Sequence, residues 1–175
     1  MSTASLVFLV IRVLHVLLAA AWIGASIFAA LFLDRLLAQT DRGSSVAVLT
    51  TLDRGGFNAF MASVGGLTVL SGLWLYWRFT GHFDPAVSAS MGARVFGAGG
   101  LAGIIALIIG GSVIGRTFKK MTALASRASS LPEGAERTTV LSQIEGARAR
   151  VHTTGWIVVA LQIIALTTMA VGHYV

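Results

Sequence analysis

Four long apolar runs, separated by polar segments, dominate the hydrophobic pattern of this chain. They cover residues 5–33, 57–79, 91–118 and 152–174, and each reaches the about 20 residues that a helix needs to cross a bilayer. Apolar residues occupy consecutive positions rather than alternate ones, which favours helices over the strands of a membrane barrel. The pattern therefore predicts an all-α protein, a bundle of four transmembrane helices that forms a single domain over residues 1–175.

The basic residues are distributed unequally between the two sides of such a bundle. Of the 13 Lys and Arg residues, all but Arg12, Arg78 and Arg94 fall on the side of the first and third connections. Because cytoplasmic loops of membrane proteins are enriched in Lys and Arg, we expect both termini to lie outside the cytoplasm of a bacterial inner membrane. In that orientation we expect the basic residues behind the net charge of +6 to interact with lipid headgroups. The predicted partner is therefore the bilayer rather than nucleic acid.

Composition narrows the chemistry that such a bundle can carry. The chain is 55% hydrophobic and 11% charged, and it contains no cysteine, which excludes thiolate metal sites, Fe–S clusters, thiol catalysis and disulfides. It has no phosphate-binding loop, zinc-protease or hydrolase motif, and no carboxylate lies within the four runs. No catalytic residue is therefore predicted, and a bound metal would need His, Met, carboxylate or backbone ligands.

The connection between the third and fourth runs has helical character of its own. Apolar residues recur at helical spacing in residues 121–128 and 140–151, which predicts that both flanking helices extend into a cytoplasmic hairpin at about 119–151. Ser130, Pro132 and Glu133 match a capping box with a proline near the first helical position, so the second arm is predicted to begin there. Two interpretations are open: the arms pack on each other and on residues 46–52, or they form a docking surface for a partner.

His15 is the residue most informative about function, because it lies about ten positions into the first run, near Arg12 and seven residues before Trp22. An ionisable side chain at that depth requires a partner or a cavity. In one interpretation a neutral imidazole bonds to another helix, for instance to Thr68, Ser71 or a carbonyl group. In the others, His15 is a ligand of copper or haem iron, with Trp22 as a further candidate contact of the cofactor, or it is part of a proton relay.

Candidate co-ligands lie in the same outer half of the bundle. Met91 begins the third run, and Met169 and His173 are four residues apart near the end of the fourth, a spacing that places two side chains on one helix face. Imidazole and thioether groups suit copper and also bind haem iron axially; alternatively, the methionines pack and His173 lies in the headgroup region. Arg12 and Arg94 are candidate contacts for haem propionates or another anion, or they extend to lipid headgroups.

Glycine recurs in the third run at Gly92, Gly99, Gly103 and Gly110, which share one stripe of a helix. Small residues allow transmembrane helices to approach each other closely. The stripe therefore predicts either tight packing against a neighbouring helix or room for a flat macrocycle.

The most distinctive segment lies in the first apolar run. Residues 12–24 read Arg-Val-Leu-His-Val-Leu-Leu-Ala-Ala-Ala-Trp-Ile-Gly, followed by Phe28 and a basic exit at Arg35. This segment resembles the first helix of CopD-like membrane proteins, the copper-resistance D domain and its relatives of unknown function, with further similarity at residues 67–76 and at His152. The resemblance implies a periplasm-facing helical bundle associated with copper handling, with His15 as the functional histidine. HemJ-type protoporphyrinogen oxidases are similar in His15 and Trp22, but the chain lacks their Leu-Pro-Arg continuation and a lysine within a span, so the resemblance does not predict that enzyme activity.

These observations lead to two functional expectations. The first is an integral membrane protein that binds a metal centre, copper or haem b, through His15 in the outer half of the bundle, in copper handling or membrane redox chemistry. The second is a cofactor-free accessory subunit that packs against a larger membrane complex or a second copy of itself.

Overall fold

The computed structural model describes residues 2–40, 42–172 and 174–175, and all regular secondary structure in them is helical. In chain order the elements are α1 (Thr3–Phe28), a first π segment (Ala29–Leu33), α2 (Asp34–Gln39), α3 (Arg42–Arg54), α4 (Phe57–Phe79), α5 (Pro85–Ser88), α6 (Met91–Ile109), a second π segment (Gly110–Gly115), α7 (Arg116–Ser130) and α8 (Ala135–Val171).

The four apolar runs predicted from the sequence are confirmed as long helices. Continuous helical stretches at Thr3–Leu37, Phe57–Phe79, Met91–Ser130 and Ala135–Val171 are long and apolar enough to cross a membrane. The first, third and fourth contain 35, 40 and 37 residues, so the helix continues well beyond the apolar run that predicted it. Length and composition together indicate a membrane protein.

The helices α1, α4, α6 and α8 form a closed bundle. α4 packs between α1 and α6, α8 packs most extensively on α6, and α1 closes the ring against α8. The buried centre is thin and consists of Trp22, Val64, Ala106 and Val158, whereas large apolar side chains cover the outward faces. Helices that are apolar on all sides suit surroundings of lipid.

Capping side chains determine where three helices begin. The side chains of Ser2, Asp84 and Ser90 accept hydrogen bonds from backbone N–H groups in the first turns of α1, α5 and α6. These N–H groups have no partner within their own helix, so the caps stabilise each start.

The up-and-down order of the four long helices places both chain termini at one end of the bundle, which we call the terminal end. The opposite end carries α2, α3 and α7 and is called the basic end.

A helical hairpin of α7 and the first half of α8 extends the bundle at the basic end. The two arms pack on each other, and α3 packs on α7. Leu37, Leu49, Phe118 and Met121 form the buried cluster at this junction. These contacts agree with the interpretation in which the arms pack on each other and on residues 46–52.

The predicted capping box in the hairpin is wrong. α7 continues to Ser130, whose hydroxyl donates to the backbone oxygen of Arg127 (2.9 Å), and α8 begins at Ala135 without a side-chain cap. Glu133 is exposed and lies 3.7 Å from Arg137. Ser130 therefore ends the first arm rather than starting the second, because its hydroxyl finds a carbonyl group in the preceding turn.

Candidate functional site

His15 connects α1 to α4. Its side chain is only 7% exposed, and its Nδ1 atom lies 3.0 Å from the backbone oxygen of Thr68 and 3.0 Å from the hydroxyl oxygen of Ser71. Gly72 makes room for the ring, since a Cβ atom at that position would lie 2.9 Å from Cε1 of His15. The predicted hydrogen bonds from His15 to another helix, with Thr68 and Ser71 as partners, are confirmed.

The bond to Thr68 determines which ring nitrogen of His15 carries a proton. A backbone carbonyl only accepts, so Nδ1 donates its hydrogen to the Thr68 oxygen. In the neutral imidazole the lone pair is then on Nε2, which forms no hydrogen bond with the residues that the structure describes. Metal-bound histidines have the same arrangement, with the other ring nitrogen donating to a carbonyl or carboxylate. The tautomer of His15 is therefore the one that a metal-bound histidine would need.

Contacts between helices determine the relative depth of His15 and the candidate ligand Met91. Gly65 of α4 lies against α1 and α6, since a Cβ atom there would lie 2.9 Å from Trp22 and 3.0 Å from Leu107. Trp22 and Leu107 therefore lie at one level, and α1 and α6 run in the same direction in the up-and-down bundle. His15 is then level with residue 100 of α6, and Met91 is about 13 Å closer to the terminal end at 1.5 Å per residue. Met91 is also 64% exposed. The two side chains therefore lie at different depths.

The other predicted site residues differ in burial. Trp22 is buried in the centre of the bundle, Met169 is half-buried on α8, Arg94 is exposed, and Arg12 is exposed and makes an interaction of its own. His173 lies outside the described residues. Within residues 2–40, 42–172 and 174–175, no three His, Cys, Asp or Glu side chains are placed to hold one metal ion. A metal at His15 would therefore need a ligand of another kind, such as a methionine thioether, beside the imidazole.

A cavity of about 720 Å³ lies at the basic end of the bundle, where its two buried clusters meet. Its volume is within the range of about 300–1,000 Å³ that is usual for small-molecule sites. The wall is mainly apolar and includes Trp22, Phe57, Leu107, Ile114, Phe118 and Val158. This cavity lies in the half of the bundle opposite to the one in which the sequence predicted a site.

Both π segments border the cavity. Ala29, Ala30 and Leu33 line it from the first, and Gly110 and Gly111 line it from the second. A Cβ atom at either glycine would meet no atom within 4 Å, so the backbone there adjoins open space. Turns of π-helix are rare and occur frequently at functional sites, and here two of them from different helices face the same cavity.

The glycine stripe of α6 divides into two parts. A Cβ atom at Gly92 would lie 3.0 Å from the backbone oxygen of Gly172, the residue that follows α8, and one at Gly99 would overlap the hydroxyl of Thr168. Gly103 and Gly110 would meet nothing within 4 Å. Glycine therefore allows close helix packing at the terminal end and leaves space at the basic end.

Charged side chains of both signs line the basic end of the cavity. Arg116 and Lys119 lie one turn apart on α7, and neither forms an ion pair with a described residue. Asp53, in the last turn of α3, is half-buried, and its Oδ1 accepts a hydrogen bond from Nδ2 of Asn58 (3.2 Å). Among the described residues, no cation lies within 4.0 Å of this carboxylate.

A buried polar pair lies next to the deep end of the cavity. Ser26 lines the cavity, donates to the backbone oxygen of Trp22 (3.0 Å) and accepts from Nε2 of Gln162 (3.1 Å). Gln162 is 1% exposed, and its Oε1 has no hydrogen-bond partner in the described part of the chain. An unsatisfied buried acceptor costs about 1–3 kcal/mol, so a donor from water or a ligand would stabilise this position.

Comparisons of the chain with protein-family models, with curated proteins and with solved structures found no match. The resemblance to CopD-like and HemJ-type proteins therefore stays a prediction. Functional conclusions rest on the geometry of the His15 site and of the cavity.

Sequence reasoning missed the residues that line the charged end of the cavity. The sequence pattern does not mark Asp53 as a site residue, and it marks Arg116 and Lys119 only as basic residues that set the orientation. One signal was present: Gly110, Gly111 and Gly115 come directly before these two cations. Glycine at these three positions reduces side-chain bulk on part of the segment, and the two cations that follow are suited to an anion.

Proposed function

We propose that this chain is an inner-membrane protein that binds an amphiphilic molecule in the cavity at its basic end. The apolar body of the ligand lies between the helices, and an anionic head lies at Arg116 and Lys119. The observation that carries this proposal is a mainly apolar cavity that ends at two cations without an ion-pair partner in the described residues. The apolar body of such a ligand packs against the cavity wall, and its anionic head forms ion pairs with the two cations.

The dimensions of the cavity support a long, narrow ligand. Its lining extends along the first helical stretch from Trp22 to Leu37, which is about 22 Å at 1.5 Å per residue. Ala59 and Ala62 of α4 and Gly111 of the second π segment line the cavity and are exposed. The cavity is therefore open to its surroundings at these positions, so that a lipid chain can reach it.

The proposed orientation places the basic end in the cytoplasm and both termini outside, in agreement with the excess of Lys and Arg at the basic end. Arg116 and Lys119 then lie at the level of the headgroups of the inner leaflet, where anionic lipid is attracted by basic residues. Arg148 and His152 line the same region and are engaged in interactions of their own.

Two glycine substitutions test the proposal. Gly110→Leu adds a side chain to the cavity wall, whereas Gly103→Leu adds the same side chain to the same helix outside the lining; neither Cβ atom meets another atom within 4 Å. We expect native mass spectrometry in mild detergent to show a retained amphiphile in the wild type and in Gly103→Leu, and its loss in Gly110→Leu. Equal retention in all three proteins, or none in the wild type, would refute the proposal.

The imidazole geometry of His15 favours a second function, a copper or haem b site near the terminal end. We propose Nε2 of His15 as a ligand, because Nδ1 is held by the Thr68 carbonyl as in known metal sites. Met169 and His173 remain proposed co-ligands, and Arg12 a proposed anion contact. The bound metal or haem would supply electron transfer, and the role of this chain is to orient the imidazole.

Visible spectra and metal analysis of the purified protein test the second function. We expect His15→Ala to lose bound copper or haem and His152→Ala, at the opposite end of the bundle, to keep it. A colourless, metal-free wild type that also fails to take up haem or Cu(I) would rule out this function.

A further inference from the structure

We propose that the ligand of the basic-end cavity is a phospholipid whose headgroup joins a phosphate to a primary ammonium group, as in phosphatidylethanolamine. Arg116 and Lys119 bind the phosphate, and Asp53 binds the ammonium group. This inference rests on the proposed function, because it requires an amphiphile in the same cavity.

Asp53 is the residue that distinguishes this headgroup from a purely anionic one. Its carboxylate is half-buried, lines the cavity and has one hydrogen-bond donor in the described residues, the side-chain amide of Asn58 at 3.2 Å. A carboxylate that is partly withdrawn from water is stabilised by a positive charge or by further donors that face it. The amide is neutral, so the cavity side of Asp53 is suited to a ligand cation.

The cations across the cavity do not supply that charge. Arg116 and Lys119 line the same cavity from α7, yet neither lies within 4.0 Å of Asp53. α3 and α7 pack on each other through Leu49 and Phe118, which places the two charged walls at the same end of the cavity. One dipolar headgroup placed between the walls pairs both sets of charges, with phosphate toward α7 and ammonium toward α3.

Related headgroups fit this arrangement less well. A phosphate bearing only glycerol pairs the cations but leaves the Asp53 carboxylate without a cation. A quaternary ammonium has no N–H group and therefore donates no hydrogen bond to the carboxylate. The arrangement of charges thus selects the primary ammonium over both alternatives.

The test offers the delipidated full chain, in mild detergent, an equimolar mixture of ethanolamine, glycerol and choline phospholipids with identical acyl chains. Native mass spectrometry then gives the ratio of bound lipids. We expect about tenfold preference for the ethanolamine lipid over each competitor, the factor that one charge-assisted hydrogen bond provides. Asp53→Asn, which keeps the shape of the side chain, should remove this preference. Asp84→Asn is the matched control, because Asp84 caps α5 outside the cavity lining and asparagine caps equally well.

A second pair of variants separates this inference from the proposed function. Arg116→Gln combined with Lys119→Gln should lose all three lipids, whereas Lys120→Gln, on the same helix but outside the cavity lining, should lose none. A wild type that binds no lipid overturns the proposed function and this inference together. A wild type that binds lipid without preferring the ethanolamine headgroup, or whose preference survives Asp53→Asn, overturns the headgroup assignment alone.

Discussion

Replacing Gly72 with alanine tests the position of His15 directly. The added Cβ atom would lie 2.9 Å from Cε1 and 3.4 Å from Nδ1 of the imidazole, closer than the ring can tolerate. The ring must therefore move away from α4, and its bonds to Thr68 and Ser71 lengthen. Gly66→Ala is the matched control, because it lies on the same helix and its Cβ atom would meet nothing within 4 Å.

The size of the effect follows from two losses. Forcing extra volume into a packed helix contact costs about 1–3 kcal/mol. Hydrogen bonds between transmembrane helices are worth about 0.6–1.7 kcal/mol, and most of that is lost when the ring of His15 moves. Alanine has a higher helix propensity than glycine by up to about 1 kcal/mol, but Gly72→Ala and Gly66→Ala share this gain. We therefore expect the free energy of unfolding of Gly72→Ala to be about 2–4 kcal/mol below that of Gly66→Ala.

Reversible unfolding by SDS in mixed micelles, followed by far-ultraviolet circular dichroism, measures this difference. A double-mutant cycle makes the test specific, because His15→Ala removes the ring that Gly72→Ala displaces. In that background Gly72→Ala and Gly66→Ala should have equal stability. If the two variants already have equal stability with His15 present, the imidazole is not seated against Gly72 and the reasoning about its tautomer fails with it.

Other packing contacts and the orientation give further predictions. Gly99→Ala should lower the free energy of unfolding by about 1–3 kcal/mol, since its Cβ atom would overlap the hydroxyl of Thr168. Gly100→Ala should not lower it, because the Cβ atom there would meet nothing within 4 Å. Thermal unfolding in detergent compares the two variants. Gln162→Met should leave delipidated protein within about 1 kcal/mol of the wild type, because Oε1 has no donor in the described residues, and a larger loss in the same assay would show that this oxygen is bonded. Protease added to inside-out vesicles should cleave at residues 131–134, the turn between the hairpin arms, whereas cleavage from the periplasmic face would invert the proposed orientation.

The helices were predictable because their causes are local in the sequence. A run of consecutive apolar residues long enough to cross a bilayer has few alternatives to a helix, since backbone groups in lipid must bond internally. The beginning of the second hairpin arm was not predictable from local pattern. Ser130 bonds equally well to the turn before it or to the turn after it, and the structure shows that it bonds backward to Arg127.

The two candidate sites also differ in how far the local sequence predicts them. His15 was recognisable because an ionisable group at membrane depth requires a polar partner, and Thr68 and Ser71 are polar residues of the neighbouring apolar run. The cavity depends on empty space between several helices, which no single stretch of sequence specifies. It also depends on two π segments. Ala29–Leu33 has the composition of an ordinary transmembrane helix, and the three glycines of Gly110–Gly115 indicate space without indicating a π turn.

The positions of these features divide the bundle into a packed half and an open half. At the terminal end, His15 joins α1 to α4, and glycines at Gly92 and Gly99 bring α6 against α8. At the basic end the π segments and Gly110 leave a cavity. A bundle that is closed by hydrogen bonds and close packing at one end tolerates unfilled volume at the other, because the helices stay in register without a ligand between them. The same division allows Arg116 and Lys119 on the cavity wall to lack an ion-pair partner among the described residues, because the bundle does not depend on these two groups to stay closed.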